Sequence, residues 1–386
     1  MREPALKAGA MLSPIRFVEC IWLGPQGWML GELRVEGGRI EQAQGEPVDE
    51  AAIEGAEVVI PGFVDLHVHG GGGADFMDGR AAAARVASTH ARFGTTALLA
   101  TTLTAPPTDI ERALRDLAPL VRERPIGTAR LLGVHLEGPF IHPDRLGAQP
   151  PFAREGDIDE VRRLHAIAPI RVVTLAPERS RNLELVTALS ALGVRVQIGH
   201  SNASYEDVEL ALAHGASGFT HLFNAMSPLQ HRSPGVVGAA LALARHAEII
   251  PDLVHAHPGA IRAALRAIPG LYGVSDASAG AGMPDGQYWL GPQSVCKCLG
   301  AMRLADGTLA GSALTMDQAL RNFLALGLSL SEASSRLATV PARYLGLRGR
   351  GMIEPGAWAD LVILDRERRV SRVLVEGEDI AVADEA

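Results

Sequence analysis

Cysteines, basic clusters and long apolar runs are all scarce in this sequence, and each scarcity excludes a class of protein. The 386 residues include three cysteines, Cys20, Cys296 and Cys298, which are too few for the disulfide framework of a secreted domain and suit a reducing compartment. No run of eighteen apolar residues occurs, so no membrane span is expected. Because lysine and arginine form no block, no nucleic-acid partner is expected either.

The composition is that of an ordinary globular chain with an acidic balance. Hydrophobic side chains make up 47% of the residues, charged ones make up 21%, and the formal net charge is −8. For 386 residues, we expect one large domain with an accessory module, or two domains. Residues 1–17 have no apolar core of signal-peptide length, which predicts a loose leader with Met11 as an alternative start to Met1, and a cytoplasmic location.

Short alternating apolar stretches occupy both ends of the chain. Residues 16–60 contain several of them, with a turn signal at Gly37-Gly38, and residues 360–377 repeat the pattern. This alternation is typical of strands joined by tight turns. We therefore predict a small β-sandwich domain formed by residues 1–60 together with 350–386, and a second domain over residues 61–349.

The middle of the chain alternates β-leaning segments with helical ones. Eight strands alternating with helices over roughly 280 residues match a (β/α)8 TIM-type barrel, an α/β fold of about 250 residues before insertions. A doubly wound open sheet is the alternative, because periodicity does not show whether a sheet closes. The predicted strands are 62–66, 95–100, 130–135, 172–175, 194–198, 218–220, 249–254 and 271–274.

Capping and turn signals mark the connections between these strands. Residues 108–111 and 204–207 both have the spacing of a capping box, which predicts two helix starts, and Gly215 predicts the end of the second helix. Residues 283–311 carry Asp-Gly pairs at Asp285 and Asp306. These turn signals predict a hairpin insertion beside the barrel mouth.

Histidines and carboxylates lie where the predicted strands end. His67 and His69 are two residues apart at the end of the first strand, so their side chains point the same way and can share one ion. In a barrel, the carboxyl ends of all strands meet at one mouth, where active sites are built. Four further strand ends carry one such residue each: Glu137, His200, His221 and Asp276.

Imidazole and carboxylate ligands together suit a catalytic divalent metal such as Zn²⁺, with one position open for water. The alternative is that these residues are separate caps or buried polar groups. A lone His-x-His motif favours that alternative, whereas six such residues at strand ends favour a metal site. A bound ion lowers the pKa of water from 15.7 toward about 7 and polarises an amide carbonyl. Asp276 is then the candidate acid/base, unless it serves as a further ligand or a helix N-cap.

The sequence contains six motifs, five of which hold these residues: His67-x-His69, His135-Leu-Glu137-Gly-Pro-Phe140, Leu175-Ala-Pro-Glu178, Gly199-His200-Ser-Asn-Ala203, Thr220-His221-Leu-Phe-Asn224-Ala-Met226 and Val274-Ser-Asp276-Ala277. Together they resemble the amidohydrolase superfamily and, more closely, the N-acetylglucosamine-6-phosphate deacetylases within it. The resemblance covers residues 30–377. The Glu-Gly-Pro and His-Leu-x-Asn-Ala-Met blocks are far more specific than His-x-His, which many hydrolases share.

The resemblance implies hydrolysis of N-acetylglucosamine 6-phosphate to glucosamine 6-phosphate and acetate, a step of amino sugar catabolism and cell-wall recycling. Glu137, His200 and His221 match the family's main metal site, and His67 and His69 match a second site that only some members have. One or two ions are therefore expected, with Glu137 as the bridge. Zn is the first expectation, with Fe, Mn and Co as alternatives. The family is commonly homodimeric, so a homodimer is expected.

The resemblance also implies residues that bind the sugar phosphate: Asn224, Ala225, Arg232 and His255. An arginine fork with backbone N–H groups is a sound clamp for a dianion. Where family members usually carry a histidine on the loop over the sugar, this chain has Gln149. Glutamine can hydrogen-bond a hydroxyl group but cannot carry a proton near neutral pH. This departure leaves the metal-binding residues intact and makes the identity of the sugar an open question.

Three alternatives to that activity stay open. The first is a deacetylase of N-acetylgalactosamine 6-phosphate or of a related amide. The second is a cyclic-amide hydrolase or a heterocycle deaminase, although such relatives commonly bridge their metals with a lysine, where this chain has Glu137. The third is a sugar-phosphate sensor without activity, which would have no need to preserve Asp276.

Overall fold

Both ends of the chain meet in one seven-stranded sheet. The computed structural model describes residues 13–383, so the choice between Met1 and Met11 lies outside the described residues. Val58–Pro61 pairs in parallel with Ile15–Gly24 and antiparallel with Leu361–Leu364, which joins the N-terminal strands to the C-terminal ones. The order across the sheet is Glu378–Ile380, Val370–Val375, Leu361–Leu364, Val58–Pro61, Ile15–Gly24, Gly27–Glu36 and Arg39–Pro47.

A closed barrel follows that sheet. Six of its strands pair in chain order, and a further parallel pair follows them. The backbone N–H of Leu222 donates to the carbonyl of Glu248 (2.9 Å) between the two groups, and that of Asp276 donates to the carbonyl of His67 (2.9 Å) across the closure. The strands are Phe63–Val68, Thr95–Thr102, Arg130–Glu137, Ile170–Leu175, Arg195–Ile198, Gly218–Phe219, His246–Ile249 and Gly270–Gly273.

The fold is therefore the predicted one, a (β/α)8 barrel with a small sheet domain of the sandwich type made by both chain ends. The predicted domain boundaries, after residues 60 and 349, stay a prediction. The second barrel strand is buried along its whole length, as expected of a parallel strand that helices cover on one side and barrel side chains on the other.

Helices connect the barrel strands and extend the chain after the eighth. Within residues 13–383, none is long and apolar enough to cross a membrane. The helices are Arg80–Ala91, Pro107–Arg122, Ile158–Ile167, Asn182–Ala191, Tyr205–Ala213, Gly235–Leu243, Pro258–Ala267, Met316–Ala325, Leu330–Leu337 and Thr339–Leu345. Shorter elements are the 3-10 helices Glu50–Ile53, Phe76–Asp78 and Pro143–Arg145, and the strand pair Gly70–Gly71 and Ala74–Asp75.

Two local predictions are wrong and a third is confirmed. The seventh strand occupies His246–Ile249 rather than 249–254, since Pro251 lacks the N–H that a central strand needs. The capping box predicted at 108–111 is absent, because the helix begins at Pro107 without a side-chain cap, and proline is already suited to the first helical position. The capping box at Ser204 and Asp207 is present.

The insertion after the eighth barrel strand is larger than the predicted hairpin. It is a four-stranded antiparallel sheet whose strands follow one another in chain order. Asp306 lies in a turn, as predicted, whereas Gly286 starts a strand and the first hairpin turns at Gly291-Pro292. The strands are Gly286–Leu290, Gln293–Cys298, Ala301–Arg303 and Leu309–Ser312.

A buried ion-pair network joins the sheet at the chain ends to the barrel. Glu376 is 3% exposed. Its carboxylate accepts hydrogen bonds from Arg130 (2.7 Å), from Arg124 (3.2 Å) and from Arg350. Burial opposes the charge, but Arg130 and Arg350 outweigh it and hold the pKa of Glu376 at about 2, below its ordinary value of 4.5. Since Arg130 begins the third barrel strand, the network fixes one domain to the other.

We expect Glu376→Gln to lower the free energy of unfolding by about 3–5 kcal/mol near neutral pH, because the guanidinium groups lose their shared carboxylate. The folded-state pKa lies below the unfolded value, so this stabilisation is complete above about pH 5 and is lost as the pH falls toward about 2. Urea unfolding midpoints of parent and variant, at neutral pH and in acid, measure the effect. A difference between the two proteins that stays the same in acid would contradict this role of Glu376.

Candidate metal centre

The histidines and carboxylates predicted from the strand ends converge at the mouth of the barrel. Glu137 is the last residue of the third strand, whereas His200, His221 and Asp276 lie two or three residues beyond the ends of theirs. All six candidate ligands are buried: His67, His69, Glu137, His200, His221 and Asp276. The structure therefore brings together every residue that was predicted to bind metal.

Four residues at this mouth have left-handed backbone conformations. The φ angles are +49° at His200, +30° at His221, +52° at Ala225 and +49° at Asp276. Non-glycine residues are uncommon in this region, and each costs of the order of 1–3 kcal/mol. Because such strain persists only where the surrounding structure enforces it, the cluster indicates that function rather than stability dictates the direction of these side chains.

Glu137, His200 and His221 form one compact group. Glu137 Oε1 lies 3.2 Å from His200 Nε2 and 3.0 Å from His221 Nε2, and the two ring nitrogens are 3.1 Å apart. Metal–ligand bonds of about 2.0–2.1 Å at tetrahedral angles place ligand atoms about 3.3 Å apart. The spacing of the three atoms therefore fits a shared cation.

His67, His69 and Asp276 form a second group beside the first. Asp276 Oδ1 lies 3.3 Å from both Nε2 atoms, and these are 3.3 Å from each other. Glu137 belongs to both groups, since its Oε1 is 3.4 Å from His67 Nε2 and its Oε2 is 3.1 Å from His69 Nε2. The carboxylate of Glu137 thus lies between two sets of donor atoms.

The electrostatics of the cluster favour a bound cation. Burial opposes the charge of His69, but hydrogen bonds with Asp276 and Glu137 raise the pKa of the ring to about 9. Burial also opposes the charge of Asp276, but His67 and His69 hold the pKa of its carboxyl at about 2. The cluster therefore retains anionic oxygens that attract positive charge, and its donor atoms fit a divalent metal.

His135 lies beneath the centre rather than among the ligands. Its Nδ1 bonds to the carbonyl of Leu66 (3.0 Å) and its Nε2 to the hydroxyl of Thr174 (2.7 Å). Burial and the neighbouring His67 lower the pKa of His135 to about 3, so the ring is neutral. With both ring nitrogens in use, His135 supports the first strand and has no lone pair left for a metal.

A cavity of about 350 Å³ opens onto the cluster. Of the residues predicted to bind the substrate, four line it: Asn224, Ala225, His255 and Gln149. Arg232 is not among its lining residues and is exposed on the loop 228–233. The insertion, which was predicted to lie beside the mouth, contributes Leu290, Thr308 and Leu309 to the cavity wall. The sequence did not indicate these three residues individually.

Gln149 is engaged by the protein at both ends of its side chain. Its Oε1 accepts the backbone N–H of Thr104 (2.7 Å), and its Nε2 donates to Glu137 Oε2. The sequence predicted a contact with the sugar and did not predict this contact with Glu137. Ligating carboxylates are commonly oriented by such outer hydrogen bonds. Gln149 therefore orients the carboxylate of Glu137, a role beside the sugar contact that was predicted for it.

Asp252, which the sequence did not single out, holds the cavity-lining His255 in place. Its carboxylate accepts His255 Nδ1 (2.6 Å) and the backbone N–H groups of Val254 (2.9 Å) and His255 (2.8 Å). Burial lowers the pKa of His255, but the hydrogen bond and charge of Asp252 outweigh it and raise the pKa overall. Asp252 therefore favours the protonated form of His255, whose side chain lines the cavity. The spacing Asp252-x-x-His255 is the sequence pattern that could have indicated this contact.

A barrel whose mouth gathers buried histidines and carboxylates around a cavity defines a class of metal-dependent hydrolases. The chain belongs to the amidohydrolase family, whose family model matches residues 58–380. The prediction of a hydrolase with a divalent metal in this family is thereby confirmed.

Relatives of known function match almost the whole chain. The sequence is 38% identical over 365 residues to the N-acetylgalactosamine-6-phosphate deacetylase of Escherichia coli O157:H7, with 92% of this chain and 96% of that protein covered. It is 36% identical over 411 residues to the N-acetylglucosamine-6-phosphate deacetylase of Homo sapiens, with 100% of both covered. A mutant N-acetyl-D-glucosamine-6-phosphate deacetylase from Mycobacterium smegmatis, solved in complex with N-acetyl-D-glucosamine-6-phosphate, superposes with a TM-score of 0.87 at 34% identity, covering 96% of this chain and 100% of that one.

Proposed function

We propose that the protein hydrolyses the N-acetyl group of N-acetylglucosamine 6-phosphate to give glucosamine 6-phosphate and acetate. The observation that carries this proposal is one cavity lined both by the histidine–carboxylate cluster and by Asn224, Ala225 and His255. Such a cavity offers a hydrolytic centre and an anion site to the same small molecule. Relatives named for this reaction add support.

Zn²⁺ is the proposed ion, although imidazole and carboxylate ligands also suit Fe, Mn and Co. Glu137, His200 and His221 would hold one ion, and His67, His69 and Asp276 would hold a second, with Glu137 between them. When bound, a divalent ion lowers the pKa of water toward about 7 and polarises a carbonyl oxygen.

Asp276 is the proposed acid/base. Its carboxyl is ionised at neutral pH, because His67 and His69 hold its pKa at about 2. Those two rings contact Oδ1, which leaves Oδ2 as the proposed proton acceptor. The carboxylate takes a proton from water and passes it to the departing amino nitrogen. Amide hydrolysis needs this proton transfer because an unprotonated amide nitrogen is a poor leaving group.

His255, Asn224 and Ala225 are the proposed anion-binding residues of the chain's own cavity. Arg232 is proposed to complete the phosphate site across a homodimer. Its loop is exposed, and the neighbouring Leu229 is 54% exposed, so both side chains suit burial against a second copy. The homodimer and the cytoplasmic location stay predictions.

We expect Arg232→Ala to raise KM for phosphorylated substrates by about 10–100-fold, since a charge-assisted hydrogen bond contributes about 1.5–3 kcal/mol. The value of kcat/KM for unphosphorylated N-acetylglucosamine should change little. Arg112→Ala, on the exposed face of Pro107–Arg122, is the matched control. An equal loss on both substrates would show that the phosphate is bound elsewhere.

The deciding experiment is acetate release by the metal-reconstituted protein with three substrates side by side. N-acetylglucosamine 6-phosphate is expected to react fastest, and unphosphorylated N-acetylglucosamine slowest. N-acetylgalactosamine 6-phosphate is the second candidate, because a relative named for that reaction is 38% identical and Gln149 stands where the resembling family has histidine. Preference for the galactosamine compound would select this candidate, and inactivity on all three would reject both.

A further inference from the structure

Glu248 lies in the seventh barrel strand and is fully buried beneath the metal centre. Its Oε2 lies 3.0 Å from His67 Nδ1 and accepts the backbone N–H of His221 at 3.3 Å. Its Oε1 accepts the hydroxyl of Tyr272 at 3.4 Å. A carboxylate is costly to bury unless it is hydrogen-bonded. Two of these bonds run to the candidate ligands His67 and His221, and the third runs to Tyr272 in the eighth barrel strand.

The contact with Glu248 decides what each nitrogen of His67 does. Because Nδ1 faces a carboxylate oxygen, it carries the proton and donates. Nε2 is then the nitrogen with the lone pair, and it faces His69 Nε2 at 3.3 Å and Asp276 Oδ1 at 3.3 Å. A carboxylate on the outer nitrogen of a metal-binding histidine fixes both its tautomer and its ring orientation.

Glu248 does not act equally on the other group of ligands. It contacts His221 only through the backbone N–H, and the ring of His221 contacts Glu137 and His200 instead. The ring of His200 is oriented separately, by a hydrogen bond between its Nδ1 and the carbonyl of Arg145 (2.7 Å). The side-chain contact of Glu248 is therefore specific to the group that contains His67.

We propose that Glu248 is a positioning residue that holds His67 ready for a second metal ion. Occupancy of the group His67, His69 and Asp276 then depends on Glu248, whereas occupancy of the group Glu137, His200 and His221 does not. This inference rests on the proposed metal-dependent function but not on the identity of the sugar.

Two variants separate the hydrogen bond of Glu248 from its charge. Glu248→Met fills the same space without an acceptor, and Glu248→Gln keeps an acceptor oxygen for His67 without the charge. Zn²⁺ bound per chain is measured after equilibrium dialysis against graded free Zn²⁺. We expect two ions in the parent, a second ion bound about 10–100-fold more weakly in E248M, and recovery of most of that affinity in E248Q.

The matched control is Glu160→Gln, which changes another buried carboxylate, paired with Arg154 on the outside of the barrel, and should leave both ions as they were. One ion per chain in the parent at saturating Zn²⁺, or parental affinity in E248M, would overturn the proposal. Equal weakening of both ions would assign Glu248 a general structural role. An E248Q variant as weak as E248M would assign the effect to charge.

If circular dichroism shows that E248M does not fold, Glu248→Asp takes its place. Aspartate keeps the charge but is one methylene too short to reach His67, so the second ion should again bind more weakly than the first, and parental affinity would refute the role. Metal stoichiometry involves no sugar. Two-ion binding that depends on Glu248, in a protein without deacetylase activity, would therefore refute the proposed function and leave this inference standing.

Discussion

Replacement of Asp276 by asparagine is expected to lower kcat for deacetylation by about 10²–10⁴, the usual contribution of a general acid/base. Asparagine has the same shape and can still contact His67 and His69, but it cannot accept the proton. It also tolerates the left-handed conformation at this position, where φ is +49°, better than most other residues. The fold and the ion held by Glu137, His200 and His221 should therefore be retained.

Steady-state kinetics with metal analysis on the same preparation check this result. The ion held by Glu137, His200 and His221 is the internal control, because loss of this ion together with the rate would show that Asp276 acts chiefly through metal binding. Turnover near that of the parent protein would remove Asp276 from the mechanism. A loss in kcat with little change in KM would match a group that acts in the transition state rather than in binding.

The metal-binding cluster could be predicted from sequence because two simple rules converge on it. Alternate residues of a strand share a face, which pairs His67 with His69, and the carboxyl ends of barrel strands share a mouth. Neither rule requires exact strand boundaries. His200, His221 and Asp276 lie beyond their strands and still reach the cluster, because the chain turns back through left-handed residues that no glycine marks in the sequence.

Glu248 and the protein contacts of Gln149 were not predicted, because each acts through a contact between distant segments. Glu248 was missed for a specific reason: the seventh strand was predicted at 249–254, whereas it occupies His246–Ile249, so an error of a few residues left Glu248 outside the strand. Gln149 was assigned to the sugar because its neighbours in sequence resemble a substrate loop. Its bonds to Thr104 and Glu137 depend on how that loop packs, which the sequence pattern does not specify.

Replacement of Glu137 by glutamine is expected to empty the metal centre and to lower kcat/KM by about 10³-fold or more. Its Oε1 contacts His200 and His221, and its Oε2 contacts His69 and accepts from Gln149. The glutamine side chain has one oxygen and one NH₂ group in place of two oxygens. Its NH₂ group must therefore face either the ring nitrogens, where it cannot bind a metal, or the NH₂ group of Gln149, which is also a donor. A bound metal supplies several kcal/mol of transition-state stabilisation, and each 1.36 kcal/mol corresponds to about tenfold in rate.

Metal analysis after dialysis, with Glu160→Gln as the control for a lost buried carboxylate, separates the possible outcomes for this variant. Full metal content without activity would move Glu137 from metal binding to proton transfer, and full content with activity would remove it from the centre. The comparison with Asp276→Asn is the stronger test, because the two changes are chemically alike and lie within one cluster. If Glu137 is shared by both groups of ligands and Asp276 moves the proton, the first variant loses all metal together with the rate, whereas the second loses rate while it keeps the ion of Glu137, His200 and His221.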